Sequence, residues 1–119
     1  MKILLKTALL FLLLLFMGCG TSKQPPTEKM ANAELAISRA QDNNAKEFAA
    51  IELRQAKDNL EKAKQAVTNE EYAEAARLAE QAFMDASLAE TKAESEKASK
   101  AADEMRESVE TLKQEVERK

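Results

Sequence analysis

A chain of 119 residues with 18 basic and 21 acidic side chains carries a formal charge of −3, which argues against a nucleic-acid binder: no basic face is available to displace phosphate counterions. Histidine is absent and Cys19 is the sole cysteine, so the usual metal ligands and nucleophile–base pairs are missing. Aromatic residues make up 4% of the chain and alanine abounds, a composition that favours helices over a thick globular core.

Residues 1–18 read as an export signal. Lys2 and Lys6 give a short positive start, Ala8 to Met17 is an unbroken apolar run, and Gly18 precedes the only thiol. The run is too short to cross a bilayer comfortably, since a spanning helix needs about 20 apolar residues. The stretch Phe16-Met17-Gly18-Cys19 resembles the lipobox of bacterial lipoproteins. That resemblance implies cleavage after Gly18 and diacylation plus amino-acylation of Cys19 with fatty chains of the palmitate type. One acyl chain, at about 0.8 kcal/mol per buried methylene, holds a membrane only marginally, whereas several make a lasting anchor. A lone thiol in an exported chain has no disulfide partner, and lipid would account for it.

Residues 19–26 form a tether, because Gly20, Thr21, Ser22 and the pair Pro25-Pro26 favour extended chain over regular structure. Beyond Pro26 there is neither glycine nor proline. The spacing predicts helices over about Thr27–Asp42, Ala45–Thr68 and Asn69–Glu117, separated by turns encoded in capping residues alone. Asn44 with Glu47 offers one N-cap, and Thr68 with Glu71 offers a capping box of the Thr-x-x-Glu form.

The first helix presents Met30, Ala33, Ile37 and Ala40 on one face, and the second presents Ala49, Leu53, Ala56, Leu60, Ala63 and Val67. In the third the expected seam is Tyr72, Ala76, Ala79, Phe83 and Ala86, widened by Ala75, Ala82 and Ala89. Short connections make neighbouring helices antiparallel. The seam breaks at Glu94-Ser95-Glu96-Lys97 and resumes in a new phase at Ala98, Ala102, Met105, Val109, Leu112 and Val116.

Counting back from the second turn, the shorter helix runs out opposite about residue 94. About two dozen residues then overhang by roughly 36 Å. An isolated helix with a bare apolar stripe is marginal in water, so this overhang is expected to form a coiled-coil seam with copies of the same chain or with another envelope protein. The expected fold is therefore all-α: an antiparallel hairpin or three-helix arrangement over residues 27–94, with a coiled-coil extension over residues 95–119.

No catalytic constellation emerges from the remaining side chains. Ser87, Ser95 and Ser99 have no candidate base, and carboxylates on thin helices do not converge in a cleft. Pairs such as Asp58 with Lys62 and Lys113 with Glu117 read as a solvated surface. The chain is expected to be no enzyme and to need no cofactor or metal.

Several family resemblances sharpen this reading. Ala56-Lys57-Asp58-Asn59-Leu60-Glu61-Lys62-Ala63, then Tyr72 and Ala75-Ala76-Arg77-Leu78-Ala79-Glu80-Gln81-Ala82, are similar to a domain of unknown function, numbered 4398, found in bacterial envelope lipoproteins. In some members that domain precedes a peptidoglycan-binding domain, which has no counterpart in these 119 residues. Leu60 to Ala79 also resembles a tetratricopeptide helix pair, which implies a peptide-binding adaptor, although stacked repeats need about three units.

The lipid cysteine, heptad helix and terminal Arg118-Lys119 resemble the murein lipoprotein family, which implies attachment of Lys119 to peptidoglycan. Gly20 after Cys19, where the lipoprotein resemblance would place an aspartate for inner-membrane retention, implies the outer membrane facing the periplasm. The resulting expectation is a lipid-anchored helical spacer or interaction module, with a wall-linking lipoprotein or a peptide-binding adaptor as alternatives.

Overall fold

The computed structural model describes Met1 and residues 23–119; Gly18 and Cys19, on which the cleavage and lipidation expectations rest, lie outside the described residues. The described chain is all-α, with α1 at Thr27–Asp42, α2 at Ala45–Phe48, α3 at Ala50–Thr68 and the long α4 at Tyr72–Glu117. Pro26 precedes α1, where its missing N–H costs nothing, and its carbonyl accepts from Met30 N at 3.1 Å.

Both turns work differently from the expected side-chain caps. Asn44 stands before α2 with φ 62°, and its side chain makes no capping bond. It is the left-handed residue that terminates α1, and Asn44 N donates to Gln41 O at 3.0 Å. Asparagine tolerates that conformation better than most residues.

At the second turn Thr68 is still helical, and its hydroxyl donates back to Lys64 O at 3.2 Å rather than forming the expected capping box. The reversal is a Schellman motif. Glu70 takes φ 61°, Glu70 N donates to Val67 O at 3.0 Å, and Glu71 N reaches Ala66 O at 2.8 Å. These bonds hold Asn69 to Glu71 outside both helices, so α4 begins at Tyr72 and not at Asn69.

The expected helix Ala45–Thr68 is broken at one residue. Ala49 leaves helical geometry at φ −144°, ψ 45°, yet its N–H still reaches Ala45 O at 2.8 Å and its carbonyl accepts from Leu53 N at 3.0 Å. Hydrogen bonds thus reach Ala49 from both sides, and a single non-helical residue separates the two helices.

Helix α4 is the spine on which the others lie. Its contacts with α1 run in parallel: Lys29 Nζ meets Glu80 Oε2 at 3.0 Å, and Asn43 Nδ2 donates to Glu90 Oε1 at 3.2 Å. Its contacts with α3 and α2 run antiparallel: Asn59 Nδ2 donates to Asp85 Oδ2 at 2.8 Å, Lys92 Nζ to Glu52 Oε1 at 2.8 Å, and Lys100 Nζ lies 3.9 Å from Glu47 Oε1.

Between the helices the core is mostly alanine. Ala75, Ala79, Ala82, Ala86, Ala89 and Ala93 of α4 are fully buried and repeat at steps of four and three. They face Ala33, Ala36, Ile37 and Ala40 of α1 and Leu53, Ala56, Leu60 and Ala63 of α3. Tyr72 and Ala76, expected in this seam, are half-buried, and Phe83 is 39% exposed. Small side chains let the backbones approach closely, and a phenyl ring would hold them apart. Alanine on all three helices therefore selects the alanine row of α4 and turns Phe83 outward.

Candidate interaction surface

Burial in α4 stops at Ala93, and residues 94–119 are all exposed. The neighbouring helices reach a little further than residue 94, because Glu47 approaches Lys100 and the Lys100 ammonium lies 5.9 Å from the centre of the Phe48 ring. Helix α4 beyond Lys100 has no partner among the described residues. About 25 Å of helix, at 1.5 Å per residue, projects past the other described helices. The overhang is shorter than the sequence estimate because α4 starts three residues later and the side chains of α2 reach as far as Lys100.

All six expected seam residues lie on this region of α4. Met105, Val109, Leu112 and Val116 are 69%, 60%, 61% and 75% exposed, and Ala98 and Ala102 are exposed beside them. Lys119 is exposed just past the helix, its N–H 3.4 Å from Val116 O.

A second set of residues escaped the sequence reading. Stepping back from Ala98 in the same rhythm of three and four gives Ser95, Thr91, Leu88 and Met84, all exposed, with Met84 at 60% and Leu88 at 56%. At 100° per residue this row lies about 160° from the buried row Ala82, Ala86, Ala89 and Ala93. The stripe therefore does not start where the hairpin ends: it runs along the outer face of the hairpin for three turns first. The 4-3 spacing from Met84 to Ala98 was the available signal, and the louder alanine periodicity from Ala75 to Ala93 masked it.

Several charged groups tie the helices together. Glu52 is held below the usual carboxylate range, chiefly by the hydrogen bond from Lys92. Its Oε2 is buried with no hydrogen-bond partner. Lys64 is raised by its contact with Glu34, 2.9 Å away, and Glu74 is lowered by the two-pronged hydrogen bond from Arg77 in the first turn of α4.

Among the described residues no cluster of three or more metal-ligating side chains forms, and no helix is long and apolar enough to cross a membrane. The Leu60–Ala79 pair expected to resemble a tetratricopeptide unit is the α3–α4 hairpin itself, with Leu60, Ala63 and Ala79 buried in its interior. Among the described residues, the apolar row on α4 is the surface against which a partner helix could pack.

Residues 28–105 match the family model described as "Domain of unknown function (DUF4398)". The matched segment takes in α1, α2, α3 and α4 as far as Met105. No curated protein and no solved structure matches the chain.

Proposed function

The chain belongs to the family of the domain of unknown function DUF4398, and from that premise we propose that it is a non-catalytic, lipid-anchored helical spacer and interaction module of the bacterial cell envelope. In this reading Cys19 carries the lipid, residues 20–26 are the tether, and the helical body stands at the outer membrane facing the periplasm.

The observation that carries the proposal is the uncovered row on α4. Met105, Val109, Leu112 and Val116 are each at least 60% exposed on a helix that has outrun its neighbours. Apolar side chains repeated at steps of three and four on one helix face are the surface a second helix packs against. The anchor rests on Gly18-Cys19 behind an apolar run with a basic start. Acting by contact and reach accords with helix-to-helix ion pairs such as Lys92 with Glu52 and Lys29 with Glu80, which brace the body.

Two measurements test the two halves. Mass spectrometry of the protein from its native cells is expected to show an N-terminal Cys19 bearing fatty chains; an intact leader or a bare thiol overturns the anchor. A photo-crosslinking probe at Met105 in intact cells is expected to capture a protein partner, and its failure to capture any overturns the interaction role.

A further inference from the structure

The row that begins at Met84 has the sequence logic of a coiled coil with one preferred arrangement. Steps of four and three place Leu88, Ser95, Ala102, Val109 and Val116 at the a positions and Met84, Thr91, Ala98, Met105 and Leu112 at the d positions. Valine at a with leucine at d, as at Val109 and Leu112, favours two strands over three or four. We propose that α4 pairs in parallel with α4 of a second copy of this chain, in a continuous two-stranded coiled coil from Met84 to Val116, about 48 Å long at 1.5 Å per residue.

Layer matching favours a copy in the same direction. In the parallel pair each layer meets itself, so Val109, Leu112 and Val116 close on apolar partners, and Thr91 and Ser95 set hydroxyl against hydroxyl. A fully overlapped antiparallel pair would keep Leu112 against Leu88 and Val116 against Met84 but put Val109 against Thr91 and Met105 against Ser95, setting two apolar side chains of each copy against hydroxyls.

The flanks agree with this. The e positions carry Asp85, Lys92, Arg106 and Lys113, and the g positions carry Glu94 and Glu115 with Ser87, Ala101 and Ser108 between them. Parallel pairing brings each g residue to the e residue five places on in the copy; from Ser87 onward no two like charges meet, and the one acidic pair, Glu80 with Asp85, lies at the N-terminal edge, where Lys29 and Asn59 hold the two carboxylates. The antiparallel pair sets Lys92 against Arg106 of the copy. Its only compensation is Asp85 against Lys113, and Asp85 is already engaged by Asn59 and Gln81.

The hairpin leaves room for the second helix. Met84, Leu88, Thr91 and Ser95 are exposed on the side of α4 away from the alanine core. The inference rests on the reading of α4 as an interaction helix, and the membrane anchor would add to it by holding copies in one orientation at high local concentration.

Leu88→Cys and Val116→Cys, made singly and together in the full-length chain in its native cells, test the pairing with a short thiol-to-thiol crosslinker and mass mapping of the linked peptides. The expected result is a band of doubled mass from both single variants, with 88–88 and 116–116 linkages. Val109→Asp in either background, which sets two carboxylates in one layer, should abolish that band.

Linkage at 116 alone would overturn the register back to Met84, linkage of 88 to 116 alone would overturn the parallel arrangement, and no linkage, or a band that survives Val109→Asp, would overturn self-pairing. The unaltered chain, whose one thiol is Cys19, serves as control. A linked band from it overturns lipidation and leaves the pairing standing. Capture of a different envelope protein at Met105, without self-linkage, overturns the pairing and leaves the interaction role standing.

Discussion

Lys92 Nζ donates to Glu52 Oε1 at 2.8 Å and ties the first turn of α3 to α4 one residue before the last buried alanine, Ala93. The Glu52 side chain is 17% exposed and its second oxygen, Oε2, is buried without a hydrogen-bond partner. Lys92 is thus the main compensation for a largely covered carboxylate. Lys92→Met should lower the melting temperature more than Lys29→Met, whose partner Glu80 has a side chain 61% exposed and is easily rehydrated. Thermal melts followed by circular dichroism would check the order.

The same pair sets a pH dependence. Glu52 titrates below its ordinary value of 4.5 in the folded chain, with the Lys92 hydrogen bond as first cause. A lowered carboxylate contributes stability that is present above its unfolded value and lost as pH falls through its folded value. Glu74, lowered by Arg77, acts in the same direction. Lys64, raised above 10.5 by Glu34, contributes stability that persists through neutral pH and disappears only as pH rises through its folded value. Wild type should therefore exceed Glu52→Gln in melting temperature at pH 7, and the gap should close as pH drops below 4.5. A gap unchanged at pH 3 would contradict the assignment.

Two left-handed residues give opposite predictions at the turns. Glu70 has φ 61° and its side chain makes no capping bond, so Glu70→Gly relieves a cost of about 1–2 kcal/mol, offset in part by the freedom glycine adds to the unfolded chain. The net expectation is a stabilisation of about 0.5–1 kcal/mol. Asn44→Ala should destabilise by about 1 kcal/mol, because alanine tolerates φ 62° less well. Urea midpoints should move in opposite directions with the slope unchanged.

Much of this fold was legible because punctuation is so sparse after Pro26. With no glycine or proline to interrupt it, the chain had only the polar clusters at Asp42-Asn43-Asn44 and Thr68-Asn69 to turn at, and both turns fall there. Their chemistry was not legible. Asn44 and Glu70 act through backbone conformation at helix ends, and a Thr-x-x-Glu match at Thr68 says nothing about which side of the turn the threonine will join. The kink at Ala49 has no residue signature, since alanine is the strongest helix former. Phe83 was misplaced because size suggests core, whereas the spacing of three alanine-faced helices leaves no volume for a ring.

That misplacement yields a direct test of the core. Ala82 is fully buried against α1 and α3, while its neighbour Phe83 is 39% exposed. Ala82→Leu should cost about 1–3 kcal/mol by overpacking, whereas Phe83→Ala should cost less than about 1.5 kcal/mol, half or less of a buried aromatic truncation. Denaturant titration of both variants decides between an alanine seam and an aromatic one, and the reverse order would favour the seam read from sequence.

The overhang makes a prediction about concentration. Beyond Lys100 the apolar residues of α4 meet no other helix among the described residues, and side-chain pairs such as Arg106 with Asp103, 3.3 Å apart, add only about 0.2–0.5 kcal/mol each to an isolated helix. A helix supported that weakly frays in water unless its stripe is covered. If a partner covers Met105, Val109, Leu112 and Val116, helicity of this segment depends on assembly. Ellipticity per residue should then rise with protein concentration along the same curve as the sedimenting mass. Val109→Ser with Leu112→Ser should flatten both curves and lower the apparent mass. Their loss leaves the hairpin melt in place, because neither side chain contributes to the alanine core. Ellipticity independent of concentration, with an unchanged mass in the double variant, would mean that the projecting helix stands alone.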